Sequence, residues 1–106
     1  MDDIALPLQD RLNLQTARIS WPELEHFFAR GRVLDVSAEL DLIEVAVALT
    51  EDDTAKFTYW MKLQQVQHLQ DETAKQWLAD DSHLWAVVVA PWVVVQNRSA
   101  VVVQTQ

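Results

Sequence analysis

The sequence predicts an α+β fold, several helices packed on a small sheet in a single compact domain, and three observations carry that expectation. One helix, in residues 20–31, has both of its ends written into the sequence. A valine-rich run at residues 84–95, interrupted by Pro91, has the β-branched content of strand rather than helix. Half of the 106 residues are apolar and none is cysteine, so the core must close without disulfides or thiolate metal sites. The whole chain, 1–106, reads as one domain, with its core at about 8–96 and a tail at 97–106 that has the pattern of one extra strand.

The first element is a short helix from Leu8 to about Thr16, where Leu8, Leu12 and Gln15 or Thr16 recur at helical spacing. The second has the clearest local signal. Ser20 is an N-cap, Pro22 lies in the first turn, and Glu23 completes a Ser-x-x-Glu capping box. Leu24, Phe27 and Phe28 form its apolar stripe, and Gly31, the only glycine, stops it in a left-handed conformation. Residues 32–36 follow as a short strand.

Residues 38–50 fit two patterns. As a strand, Ile43, Val45, Val47 and Leu49 share a face; as a helix capped by Ser37, Asp41, Glu44, Ala48 and Glu51 form one polar stripe. The helix is the preferred reading. Glu51, Asp52 and Asp53 then make the tight turn of an αα-hairpin, and Asp52 or Asp53 caps a further helix that runs through Trp60 to about Gln64. Asp71 or the residue before it caps another helix, which carries Ala74, Trp77 and Leu78 on its apolar side and ends at 80–82. Residues 84–89 and 92–96 are strands with Pro91 forcing the bend between them, and 100–104 has the pattern of a strand folding back in a hairpin. Valines 87–89 and 93–95 lack polar alternation, so helices must cover both faces of these strands or a second subunit must cover one.

Charge narrows the function classes. Sixteen acidic residues against eight Lys plus Arg leave a formal charge of −8, which argues against nucleic-acid binding or membrane attachment through a basic surface. The longest apolar run is too short for a membrane span of about 20 residues. The first residues carry neither the basic nor the apolar stretch of a secretion signal, so the expected location is cytoplasmic. The acids are also unevenly placed: seven of them, and no base, lie between Asp35 and Asp53.

No catalytic constellation emerges from these residues. A phosphate-cradling loop needs several glycines, and no Gly-x-Ser-x-Gly elbow exists. His26, His68 and His83 lack metal-ligand spacing. The candidates that remain for ligand or partner binding are Asp41, Glu44, Asp52 and Asp53, whose oxygens would suit a hard cation or a partner contact, and Trp92, placed just after the Pro91 break. Capping and solvation account for the acids equally well, so no metal and no cofactor is expected.

Several blocks nevertheless resemble one family. They are Gln15-Thr16-Ala17-Arg18-Ile19-Ser20-Trp21-Pro22-Glu23-Leu24-Glu25, Leu40-Asp41-Leu42-Ile43-Glu44-Val45-Ala46-Val47-Ala48, Glu51-Asp52-Asp53, Trp60, and the ending Leu84-Trp85-Ala86-Val87-Val88-Val89-Ala90-Pro91-Trp92-Val93-Val94-Val95-Gln96. From about Leu12 to Gln96 the chain is similar to a bacterial family of small uncharacterised proteins, domain of unknown function 2288. Where those relatives place a glycine after the helix with the middle Trp, this chain has Lys62-Leu63-Gln64-Gln65. The resemblance implies no catalytic residue, substrate or cofactor. The expectation is therefore a non-enzymatic interaction or regulatory module, acting on a protein partner or as a homodimer through its valine-rich C-terminal strands. The competing class is a small-molecule or metal-dependent enzyme built on the acids of residues 41–53.

Overall fold

The computed structural model describes residues 7–80 and 83–98. Along the chain run α1 (Leu8–Gln15), β1 (Ala17–Arg18), α2 (Trp21–Ala29), β2 (Val33–Val36), α3 (Leu42–Thr50), α4 (Thr54–Lys62), β3 (Val66–His68), α5 (Asp71–Asp80), β4 (Leu84–Val89) and β5 (Trp92–Asn97). The strands form one mixed sheet in the order β1-β4-β5-β2-β3, so the fold is α+β. β5 runs antiparallel to β4 and parallel to β2.

The valine pattern explains the layering. Val93, Val94 and Val95 are fully buried, and successive strand residues point to opposite faces, so both faces of β5 need a cover. Helices supply it on each side. Leu12 of α1, Leu42 and Val45 of α3 and Trp60 of α4 pack with Leu34, Val36, Val87 and Val94. On the other face, Leu24 of α2 and Ala74 and Trp77 of α5 pack with Val33, Ala86, Val93 and Val95. Each such fully buried aliphatic side chain contributes about 1.5–3 kcal/mol. Val88 is the most exposed valine of the run, at 54%, on the face it shares with Ala86.

Local signals set α2 as expected. The Ser20 hydroxyl accepts from the Glu23 amide, and the Glu23 carboxylate accepts from the Ser20 amide and the Ser20 hydroxyl; the two bonds to the carboxylate hold Glu23 below the usual carboxylate range. At the far end Gly31 has φ +70°, its amide donates to Phe28 O, and the Arg32 amide donates to Phe27 O, which closes the helix in a Schellman turn. Residues 51–53 turn between α3 and α4 with Asp52 at φ 57°, and Asp53 caps α4 by accepting from the Lys56 amide.

Four expectations need correction. First, the helix of residues 38–50 starts at Leu42, and its cap is Asp41, not Ser37. Residues 37–40 form a turn instead, closed by the Leu40 amide on Ser37 O and held from below by Gln96. Second, Ala48 is buried rather than part of a polar stripe, because α3 is wedged between α1, α4 and the sheet. Third, Leu78 is 58% exposed and not core; it lies about 100° around the α5 axis from Trp77. Fourth, the sheet contains two strands the sequence reading did not anticipate, β1 and β3, at its two edges. The strand expected at 100–104, and residues 81–82 of the expected helix end, lie outside the described residues.

The departure after Trp60 also finds its geometry. Gln64 sits at φ 61°, with its amide on Met61 O and the Gln65 amide on Trp60 O, the same closure that Gly31 makes for α2. A side chain in the left-handed region is strained, and glycine is not. Gln64→Gly should stabilise the protein by about 0.5–1 kcal/mol even after the added freedom of the unfolded chain is counted, while Gln64→Ala should not. Urea unfolding of the two variants side by side checks this.

Candidate functional site

Two depressions join along the outer side of α2 and α5. One, of about 460 Å³, is walled by Ile19, Trp21, Trp77, Leu78 and Leu84, with Arg18 and Glu23 at its rim. The other, of about 200 Å³, lies between Phe28 on α2 and Ala74 on α5 and shares Trp21 and Leu78 with the first. Together they make one apolar groove between the two helices. The capping box fixes where α2 begins and therefore where Trp21 stands, at the first turn and half-buried. Trp21 packs against Phe28 with ring centroids 5.8 Å apart and planes tilted by 55°, which stiffens one wall. The two helices framing the groove carry Glu23, Glu25, Asp71, Glu72 and Asp80 against a single base, Lys75. The walls of the groove are aromatic and aliphatic, its larger part is lined by Arg18, Ser20 and Glu23 as well, and the helices that frame it are mainly acidic.

The acids singled out from the sequence are not brought together. Asp41 caps α3 and, with Glu44, borders a shallow depression beside Gln9 and Val47. Asp52 and Asp53 border a different one beside Phe57, past the far end of the same helix. Asp41 and Asp52 lie beyond opposite ends of α3, whose nine residues span about 14 Å of helix axis, and Glu44 stands in its first turn. Asp41 and Asp53 each accept a backbone amide at a helix start, and Asp52 forms the turn. Among the described residues no three His, Asp or Glu side chains are grouped to hold a metal ion. Trp92 is half-buried against the core under α3 and α4, with its ring centroid 5.6 Å from that of His68 across the sheet.

Asp35 was not among the candidates. It lies in the middle of β2, between Val95 of β5 and Gln67 of β3, on the face that α2 and α5 cover. Burial alone pushes its carboxyl up to about 6, and no donor among the described residues bonds to it. The signal was available: a lone acid inside the apolar stretch 33–36. Asp35 lines neither part of the groove.

A second polar feature sits on the opposite face, where Gln96, 4% exposed, is the one buried polar side chain among the described residues. Its Nε2 donates to Ser37 O at 2.8 Å and to Leu40 O at 2.7 Å, and its Oε1 accepts from Arg98 Nε at 3.0 Å. Two carbonyls on one side and a guanidinium N–H on the other determine the amide orientation. Beside it, Arg98 and Arg18 both lie over the Trp85 indole, at 5.1 and 5.9 Å from the ring centroid.

No helix among the described residues is long and apolar enough to cross a membrane. No match was found among the curated proteins. The fold is shared with a solved structure, the solution NMR structure of PA1075 from Pseudomonas aeruginosa. That protein is 45% identical, aligned over 99% of this chain and 97% of its own with a TM-score of 0.81. The capped α2, the αα-hairpin at 51–53 and the β4–β5 hairpin all fall within residues 7–97, which match the family described as "Protein of unknown function (DUF2288)", and the chain belongs to that family.

Proposed function

We propose that the chain is a non-catalytic interaction module whose contact face is the groove between α2 and α5, and that its partner segment is apolar with Lys or Arg at its flanks. The observation that carries the reading is an apolar wall left open to solvent within an acidic border. Leu78 is 58% exposed beside Trp21 and Phe28, and the framing helices carry five acids to one base. Apolar centres with aromatic anchors and charged rims are the anatomy of protein contact sites. The net charge of −8 extends the preference for a basic partner beyond the groove itself.

The probe is a synthetic helical peptide of leucine and lysine, titrated into the ¹⁵N-labelled full chain. Amide shifts should concentrate at Trp21, Phe28, Ala74 and Leu78. Leu78→Glu should weaken binding by at least about tenfold and leave the melting temperature unchanged, since Leu78 is exposed. The reading fails if the shifts fall elsewhere, if Leu78→Glu binds as the wild type does, or if a lysine peptide of equal charge without leucine binds equally well.

A further inference from the structure

We infer that Arg18 and Arg98, arranged around Trp85, form a binding site for an oxyanion, the phosphate or carboxylate group of a small ligand. By register the site lies on the opposite face of the sheet from the face under α2 and α5; Arg18, on the edge strand β1, also reaches the rim of the groove, so the site adjoins the groove but does not depend on the groove having a partner. Its geometry follows from strand register. Arg18 of β1 is directly opposite Trp85 of β4, and Trp85 is directly opposite Gln96 of β5. Directly paired residues share a face, so the three side chains stand in one row across the sheet. Arg98 comes two residues after Gln96, and its amide prolongs the β4–β5 ladder by donating to His83 O at 2.9 Å. The alternation of a strand returns its side chain to the face of Gln96 and Trp85.

Three features distinguish this pair from arginines lying loosely on a surface. Both guanidiniums are packed against one indole, which lowers the rotamer entropy that ligand binding would otherwise cost. The Arg98 guanidinium is held at Nε by Gln96, itself anchored on two backbone carbonyls; its outer nitrogens carry no hydrogen bond within the described residues. The pair also stands at the carboxyl ends of β2 and β5, the only parallel pair among the described strands, the end of a sheet where parallel strands most often present ligands. Neither guanidinium pairs with a carboxylate among the described residues, although the chain has two acids for every base. Two like charges around one ring repel, and an oxyanion that accepts from both removes that cost. Phosphate and carboxylate both match the forked donors of a guanidinium.

The test reads the arginine Nε–H signals of the ¹⁵N-labelled full chain during titration with pyrophosphate, and separately with citrate, at about 0.15 M salt, where the screening length is about 8 Å. The Arg18 and Arg98 signals should move together and saturate with a dissociation constant below about 1 mM, while those of Arg11, Arg30 and Arg32 stay in place. Saturation by pyrophosphate alone assigns a phosphate ligand, by citrate alone a carboxylate ligand, and by both an oxyanion site of either kind. Arg18→Gln, on an exposed edge strand, should weaken binding by at least about tenfold without lowering the melting temperature. The inference is overturned if neither probe saturates, if all five arginine signals drift together without saturation, or if Arg18→Gln binds as tightly as the wild type.

Discussion

The Asp35→Asn variant is expected to be more stable than the wild type by about 2 kcal/mol at pH 8 and about equally stable at pH 4. Asp35 is pushed from 3.8 up to about 6 by burial, so its ionisation opposes folding. Below the unfolded value the group is protonated in both states and costs nothing. Between the two values the unfolded chain ionises first and gains on the fold. Above about 6 both states are charged, and the folded state carries the whole penalty, roughly 2–3 kcal/mol at 1.36 kcal/mol per unit. The contribution of a neutral Asp35 is therefore present at low pH and lost as pH rises through about 6. Asparagine retains the shape and never ionises, so the gap between the two proteins should open between pH 4 and pH 7 and then stay constant. Glu23 acts with the opposite sign, since its bonds to Ser20 hold its carboxyl low, but it is common to both proteins and cancels in the difference. Urea unfolding at pH 4, 6 and 8 measures the effect. A gap that does not change across this range would mean that the charged carboxylate is not the unfavourable form in the fold.

The same residue illustrates what sequence reasoning reached and what it passed over. The elements that were legible are those whose signals are local: Ser20, Pro22, Glu23 and Gly31 bracket α2 within twelve residues, and the acids 51–53 turn one helix into the next. The valines of β4 and β5 announced a strand covered on both faces, and the helices cover both. β1 and β3 gave no such signal. They are two and three residues long, with only one buried side chain between them, Val66. They are strands because an edge of the sheet comes to them from far along the chain, as when Ala17 pairs with Ala86.

The start of α3 failed for the same reason. Ser37 has the chemistry of a cap, but the carbonyls that would begin a helix there are taken by Gln96, which lies 59 residues away from Ser37 in sequence. In the groove, the helical period placed Leu78 on the apolar side of its helix and so in the core. Period alone does not say how far the facing helix lies; α2 and α5 stand apart, and the stripe becomes a wall. Asp35 was the reverse case, an acid whose apolar neighbours were visible and whose burial was not inferred from them. The acids of 41–53 drew attention by number, and the backbone amides at the starts of α3 and α4 account for two of them.

Gln96→Leu should destabilise the fold by about 2–4 kcal/mol, the largest loss expected from a change that neither adds charge nor empties space. Leucine fills nearly the same volume, so no cavity term enters. What disappears is the pair of donors to Ser37 O and Leu40 O and the acceptor for Arg98 Nε. Leu40 O and Arg98 Nε then lose the partner Gln96 gave them, at about 1–3 kcal/mol each for groups held away from water, while Ser37 O keeps the Leu40 amide, the other tie of the turn at 37–40. At about 4–8 °C per kcal/mol for a domain near this size, the melting temperature should fall by roughly 10–30 °C. The slope of unfolding against urea should not change, because the fold and its buried surface are retained. Gln96→Glu separates hydrogen bonding from volume. Its carboxylate would face two carbonyl oxygens at neutral pH, whereas the protonated acid donates to one of them, so this variant should regain stability on acidification and Gln96→Leu should not. If Gln96→Leu lies within about 0.5 kcal/mol of the wild type, the turn is held by Asp41 and the α3 packing alone. The late start of α3 would then need a different cause.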